Sequence, residues 1–255
     1  DEAAPLLALL PTPPAPIPAN HAARTGWLYS AAGKQPIAVT PEPISFRSGT
    51  EELPQACRRE LGPALRLGRA ATAIDHDGAG FVVTLGGQVP TQAAAPRLTV
   101  ALPDRTAAGL LTRFDPALGD VAERVQVADR AFAFFGGVRT DWPDLAGYGI
   151  VPADGEATAL TELIFCSEVF PARTLAGRFL VRAELAAAPP TTPDADLLAV
   201  AATEVRRWTG TTAPFGLEKL HRFQVEVHDG HRIECRQRLA ALPARVPGLA
   251  LATAS

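Results

Sequence analysis

The chain has 255 residues, of which 47% are hydrophobic and 20% are charged, and its formal net charge is −3. This length and composition can bury a core and fit one large domain or two small ones. The arginines are scattered and form no basic stripe, which argues against nucleic acid as a partner. No run reaches the roughly 18 apolar residues that a membrane-spanning helix needs, so no transmembrane segment is predicted.

The cysteines and the N-terminal residues favour a cytoplasmic location. Cys57, Cys166 and Cys235 are isolated in the sequence and form no disulfide framework or CxxC motif, which fits a reducing compartment. The early apolar run from Leu6 to Leu10 lacks the basic flank of a signal peptide. Because the sequence contains no methionine, we expect it to be a mature piece or a fragment.

Residues 1–43 are predicted to be a proline-rich N-terminal segment. Residues 11–20 read PTPPAPIPAN, and their prolines disfavour a helix and favour an extended chain, as in a linker or a terminus.

Residues 44–103 are predicted to form a helix, a hairpin and a short buried strand. The helix spans about Thr50 to Leu61, with Thr50 as its N-cap. The hairpin turns at residues 75–78, DHDG, between a strand near Ala71 and a second strand at residues 81–85. The run from Leu98 to Leu102 is short, apolar and unalternating, as a strand covered on both faces is.

Residues 104–210 are predicted to contain an antiparallel sheet that carries a helix on one face. Two short helices occupy residues 104–122, and Asp104 is expected to cap the first of them. Strands follow at residues 125–135, 157–166 and 178–185. An amphipathic helix then spans residues 193–208 and ends at Gly210.

The last part of the chain starts as an alternating strand and turns at Asp229-Gly230. A helix is predicted from about His231 to Leu242, followed by a buried strand from Leu249 to Ala252. His221, His228 and His231 raise the alternative of a zinc site, with Glu234 and Cys235 as further candidates. A straight strand would separate His221 from His228 by roughly 20 Å, so ordinary turn and strand histidines are the favoured interpretation.

Several motifs, in the same order along the chain, resemble those of protoporphyrinogen oxidases in the flavin amine oxidase superfamily. The resemblance covers about four fifths of the chain, but Ser48, Ala71, Leu175 and Phe223 stand where the family usually has glycine, valine, proline and tryptophan. The matching positions are Ser45, Arg47, Gly49, Leu53-Pro54, Leu67-Gly68, Ala71, Ile74, Val83 and Val100 to Pro103; Leu145, Gly147, Tyr148, Gly149, Val151 and Pro152; Ser167, Phe170, Pro171, Arg173 and Gly177; Asp194, Leu197, Glu204, Thr209 and Gly210; and Arg222-Phe223, Gly230-His231 and Pro247 to Ala252.

The resemblance implies an α+β fold, with an antiparallel substrate-domain sheet and helices plus part of an FAD-binding α/β layer. It assigns residues 44–103 to a partial FAD domain, 104–235 to a substrate domain and 236–255 to a return into the FAD layer. FAD is the implied cofactor, with Ala71, Ala101 and Pro103 near it. Three arginines are candidates to bind the propionates of a porphyrin-like substrate because a guanidinium suits a carboxylate: Arg47, Arg173 and Arg222.

The G-x-G-x-x-G turn that receives the FAD pyrophosphate in such proteins does not occur in this sequence. The nearest pattern, Gly78-Ala79-Gly80, opens a strand rather than a helix. We therefore expect a chain that is incomplete and inactive alone, with a partner chain or a missing domain supplying the dinucleotide-binding half, and a location that extends to the periphery of the inner membrane. The alternative is a non-catalytic binding or protein-interaction module that keeps the substrate-domain sheet.

Overall fold

A computed structural model describes residues 4–39, 44–143 and 146–252, so Leu145 and residues 40–43 of the predicted N-terminal segment lie outside it. In chain order, the helices are α1 (Ala4–Leu9), α2 (Glu52–Leu61), α3 (Asp104–Leu110), α4 (Ala117–Arg124), α5 (Cys166–Val169), α6 (Asp194–Thr209) and α7 (Gly230–Ala241). The strands are β1 (Pro16–Pro18), β2 (Thr25–Ser30), β3 (Gly33–Ala38), β4 (Ile44–Phe46), β5 (Ala71–His76), β6 (Phe81–Leu85), β7 (Thr91–Ala95), β8 (Leu98–Val100), β9 (Val127–Val138), β10 (Gly149–Pro152), β11 (Leu160–Ile164), β12 (Arg178–Leu185), β13 (Leu217–Glu226) and β14 (Leu249–Leu251).

The chain divides into two compact units. The first unit comprises residues 1–65 and 129–223, and the second comprises residues 66–128 and 224–255. Helix α2 lies in the first unit, whereas α3 and α4 lie in the second. The boundaries of the units therefore differ from the predicted domain boundaries at residues 44, 104 and 236. The functional domain assignment made from the sequence therefore stays a prediction.

The first unit is built on a seven-stranded sheet with the strand order β13-β9-β12-β11-β10-β2-β3. Pairing is antiparallel from β9 through β12 and β11 to β10, and β2 and β3 form an antiparallel hairpin. The pairing of β10 with β2 is parallel. The predicted α+β class with an antiparallel sheet is confirmed.

The two faces of this sheet have different surroundings because its strands alternate. Along β12, Phe179, Val181, Ala183 and Leu185 are buried, whereas the residues between them are only half-buried. The buried face packs against α6, as predicted, and the shared core includes Leu197, Ala201, Val205 and Trp208. Gly210 ends α6 in the left-handed conformation, with φ of 79°. Because α6 packs on the buried face, the half-buried face is the one that can form a binding site.

The second unit has a core of its own among α3, α4, α7 and two small sheets. One sheet is the antiparallel β5-β6-β7, and the other is a parallel pair in which Leu249 of β14 lies opposite Leu98 of β8. This pairing confirms the prediction that these two distant segments belong to one layer. Cys235, Leu239 and Leu242 of the α7 region are fully buried in the core.

Two capping predictions were wrong. The helix α2 begins at Glu52 after Glu51, and Thr50 makes no side-chain cap; instead, the Glu52 carboxylate accepts a hydrogen bond from the Ser48 amide. Asp104 is the first residue of α3 rather than its cap. Its carboxylate is buried beside two arginines, and that ion pairing replaces a cap bond to the backbone.

The proline-rich residues 11–20 contain an extended strand, as their prolines predict. This strand is β1, which pairs antiparallel with β4. The short helix α1 at residues 4–9 precedes the proline cluster and was not predicted. In the described ranges, no helix combines the length and the apolarity needed to cross a membrane.

Candidate functional site

A cavity of about 610 Å³ lies on the half-buried face of the first unit's sheet. Alternation brings Phe132 and Phe134 of β9 to this face, next to Leu180 and Arg182 of β12. The register places Arg182 opposite Phe134. The floor of the cavity is therefore largely aromatic and apolar, with one guanidinium set into it.

The rim of the cavity is polar and comes from two other segments. One is the turn after β4, which contributes Ser45 and residues 48–51, and the other runs from α5 into a short 3₁₀ helix at Pro171–Arg173. Arg173 donates a hydrogen bond to the hydroxyl of Ser45, and its guanidinium carbon lies 5.4 Å from the centroid of the Phe170 ring. These contacts hold a second guanidinium at the rim.

Gly49 lets the rim turn approach Arg173 closely. Its φ is +127°, and a Cβ atom built there would lie 3.3 Å from Nη1 of Arg173. A larger residue would be strained by the backbone angle and crowded by the guanidinium, which gives this glycine of the family motif a local use.

Arg182 is held by a carboxylate and a ring. It forms an ion pair with Glu162 of β11, and its guanidinium carbon lies 4.4 Å from the centroid of the Phe132 ring. Phe132 in turn stacks on Phe223 with 4.3 Å between ring centroids. The orientation of Arg182 is thus fixed from two directions.

The two weakly acidic side chains of the cavity, Tyr148 and Cys166, are both held in their protonated forms. Burial raises the pKa of the Tyr148 phenol, and the negative charge of Glu162 raises it further. Burial also raises the pKa of the Cys166 thiol, although Arg182 and Arg173 oppose the shift. At neutral pH these groups can donate hydrogen bonds, but neither is poised to accept a proton.

The three arginines predicted to bind substrate lie in different places within the first unit. Arg173 lines the cavity. Arg47 is exposed and does not line the cavity, although it precedes Ser48, which does.

Arg222 is committed to structural contacts instead. Its guanidinium donates to the Asp194 carboxylate and to the backbone carbonyls of Ala188, Pro189 and Thr192. These bonds tie the loop before α6 to β13. Arg182 was missed from the sequence, although its place among alternating apolar residues in β12 was the available signal.

The candidate cofactor residues Ala71, Ala101 and Pro103 all lie in the second unit. Ala71 begins β5 opposite Leu85, next to a bulge. Ala101 and Pro103 are exposed and follow β8, at the carboxyl end of the parallel pair. Their role near a cofactor stays a prediction.

The glycine turn at residues 78–80 does not fit the pyrophosphate of FAD. In the turn at Gly78 to Gly80, the Asp77 carboxylate accepts the amides of Ala79 and Gly80, and the His76 ring accepts the amide of Gly78. The two amide bonds to Asp77 hold its pKa below the usual range. The amides that would otherwise receive a phosphate are therefore already bonded. No cluster of three or more metal-ligating side chains occurs among the residues that the structure describes.

The fold of this chain is shared, over about 80% of its length, with several solved structures. The chain is similar over 82% of its length to a protein assigned as a protoporphyrinogen oxidase from Exiguobacterium, with 18% identity and a TM-score of 0.62. It is similar over 79% to a reduced UDP-galactopyranose mutase, with 12% identity and a TM-score of 0.63. It is also similar over 85% to wild-type putrescine oxidase bound to putrescine, with 12% identity and a TM-score of 0.61.

The resemblance expected from the sequence is confirmed for the fold. The chain spans 47%, 44% and 49% of the three neighbours' lengths, a little under half in each case. No family model and no curated protein matches the sequence.

Proposed function

We propose that this chain is the substrate-binding part of an FAD-dependent oxidoreductase whose substrate is porphyrinogen-like. The observation that carries the proposal is the cavity of about 610 Å³, whose aromatic floor is combined with the guanidiniums of Arg173 and Arg182. Ligand pockets typically have volumes of roughly 300–1,000 Å³ and a few fixed polar groups on apolar walls. This cavity has both properties.

The lining of the cavity contains Arg173 and Arg182 against the one carboxylate of Glu51, and this excess of positive charge favours an anionic aromatic ligand over a cationic amine. Arg173 donates to the neutral hydroxyl of Ser45, which leaves its charge available to a carboxylate. Glu162, which could attract an amine, is already bonded to Arg182. Phe132, Phe134 and Tyr148 offer ring faces and edges to a macrocycle. The neighbour that binds putrescine therefore shares the fold, whereas the proposed ligand class here is different.

In the proposed reaction, the residues of this chain bind and orient the ligand and exclude water. Bound FAD would supply the hydride-accepting chemistry. The aromatic floor removes water from one side of the ligand, and the arginines fix its acidic groups. Tyr148 and Cys166 remain protonated and can donate hydrogen bonds to carboxylate or carbonyl acceptors. These contributions position the substrate and leave the redox step to the cofactor.

We further propose that the pyrophosphate-binding half of the cofactor site comes from a partner chain or a further domain. The closed turn at Asp77 supports this step, because its amides are already bonded within the turn. The isolated chain is then expected to bind FAD weakly or not at all and to have no oxidase activity. Stoichiometric flavin in the purified chain would contradict this expectation.

A second candidate function is a non-catalytic binding module. The cavity is formed by residues of the first unit alone, so the chain has the means to bind a small molecule without any chemistry. The two candidates differ when a dinucleotide-binding polypeptide is added. Oxidation of a porphyrinogen by the combined chains supports the enzyme, and binding without turnover supports the module.

Protoporphyrin, the stable oxidised form of such a substrate, provides the test of the proposed ligand class. Titration of the isolated chain, followed by the Soret absorbance, is expected to show saturable binding that putrescine does not compete for. The Arg173→Met variant is expected to bind about tenfold to a hundredfold more weakly, because one charge-assisted hydrogen bond contributes roughly 1.5–3 kcal/mol. Arg178→Met is the matched control, since Arg178 is exposed and does not line the cavity. Absence of protoporphyrin binding, or competition by putrescine, would refute the porphyrinogen-like substrate.

A further inference from the structure

Arg182 has unused hydrogen-bonding capacity at the floor of the cavity. A guanidinium carries five N–H donors. One nitrogen, Nη2, donates to Glu162, while Nε is buried and has no acceptor among the described residues. Because Nε is itself buried, a ligand in the cavity would bond to the outer nitrogens of the guanidinium. The side chain as a whole is 28% exposed and lines the cavity.

Arg222 is a contrasting case of an arginine that is committed to structure. It uses Nε, Nη1 and Nη2 to donate to one carboxylate and three backbone carbonyls. Those bonds account for its structural role and leave little for a ligand. Among the described residues, Arg182 donates to one carboxylate, that of Glu162, and lies against one ring, and unlike Arg222 it lines the cavity.

The contacts of Arg182 also define where an acceptor would lie. Its guanidinium lies over the Phe132 ring, and guanidinium N–H bonds point outward in the plane of the group. An acceptor that bonds to them therefore lies beside the stacked pair and not on top of it. An aromatic ligand with an acidic substituent satisfies both parts of this arrangement, with its ring on the apolar floor and its anion at the guanidinium edge.

We infer that Arg182 is the specificity-determining residue that binds the anionic group of an aromatic ligand, and that Glu162 is a positioning residue for it. The inference rests on the proposed ligand-binding function of the cavity. It specifies in addition the charge of the ligand and the residue that binds the charged group. It requires an aromatic anion as the ligand class, of which a porphyrinogen is one example. Arg173 at the rim is then a second anchor for ligands with two acidic groups.

A pair of naphthalene dyes tests this inference without using a porphyrin. 8-Anilinonaphthalene-1-sulfonate carries an anionic group, and N-phenyl-1-naphthylamine has nearly the same aromatic framework without it. Fluorescence titrations are made with the wild-type chain and with Arg182→Met, Arg182→Lys and Arg178→Met. We expect Arg182→Met to lower the affinity for the sulfonate dye by about tenfold or more, whereas the affinity for the neutral dye changes less than about twofold. Arg182→Lys is expected to restore part of the lost affinity for the sulfonate dye. Arg178→Met is expected to leave the affinity for both dyes unchanged.

An equal loss of affinity for both dyes in Arg182→Met would show that the Arg182 side chain acts only through packing. Unchanged affinity for both dyes would show that Arg182 does not contact the ligand. Both results overturn the inference. If Arg182→Met does not fold, Glu162→Gln takes its place, because glutamine keeps an acceptor for Arg182 but removes a negative charge next to the anion. This variant is expected to bind the sulfonate dye about twofold to fivefold more tightly, and unchanged or weaker binding would overturn the inference. Protoporphyrin can fail to bind while the dye results hold, so failure of the proposed substrate is distinguishable from failure of this inference.

Discussion

Replacing Asp104 should loosen the helices beside the candidate cofactor loop. Asp104 begins α3 directly after Pro103, and only 2% of its side chain is exposed. Its Oδ2 atom lies 3.2 Å from Nε of Arg232 and 3.1 Å from Nη2 of Arg236. Both arginines belong to α7, so this carboxylate joins α3 to α7 within the second unit.

The size of the effect of Asp104→Asn follows from what remains after the charge is removed. Breaking a buried ion pair by removing one partner typically costs roughly 3–5 kcal/mol. Here the two arginine side chains are still 21% and 30% exposed, and Arg232 keeps a contact of 3.4 Å to Glu226. We therefore expect a smaller cost of about 2–3 kcal/mol, which corresponds to roughly 30- to 150-fold faster amide exchange through local opening.

Hydrogen exchange with mass spectrometry measures this effect in peptides from α3 and α7. The control is Asp115→Asn, which breaks a pair with Arg245, a side chain that is 54% exposed. A surface pair of this kind contributes about 0–1 kcal/mol, so the control should change exchange by about fivefold at most. Exchange in α3 and α7 that is the same in both variants would refute the reasoning that the Asp104 cluster joins these helices.

Two further predictions concern titratable groups. Burial raises the pKa of the Cys166 thiol, and it raises that of Cys235 to about 11. In a Cys57→Ser background, Ellman's reagent should modify Cys166 in the folded chain and Cys235 only after unfolding. A ligand bound in the cavity should slow the reaction of Cys166, and an unchanged rate would contradict the placement of Cys166 in the cavity lining. In a Tyr29→Phe background, the ultraviolet absorbance of tyrosinate should show that Glu162→Gln lowers the pKa of Tyr148, because Glu162 contributes to raising it. Since the folded pKa of Tyr148 lies above its ordinary value of 10.0, its contribution to stability should be present below pH 10 and lost as the pH rises through the folded pKa. An unchanged titration in Glu162→Gln would contradict the interaction of Glu162 with Tyr148.

The periodic elements of the fold could be predicted from the sequence because local patterns specify them. The strand at residues 178–185 alternates cleanly and was predicted with the bounds of β12. The amphipathic helix at residues 193–208 corresponds to α6 within one residue at each end. The parallel pairing of β8 with β14 could also be anticipated, since both segments are short apolar runs without alternation.

The cavity could be predicted only in part because tertiary packing decides which side chains meet there. Arg173 was found through a motif, and it does line the cavity. Arg182 belongs to no motif, and its role depends on Glu162 and Phe132, which lie on two other strands. Arg222 matches a motif, yet its guanidinium is occupied by the loop before α6. A single sequence carries no direct record of such pairings between strands.

The most direct test of the central claim is a crystal structure of this chain with protoporphyrin. The account predicts that the macrocycle lies against Phe132 and Tyr148 and that its two carboxylates bond to Arg173 and Arg182. Binding in the polar cleft at His76 and Arg113 of the second unit, with the first unit's cavity left free of ligand, would contradict it.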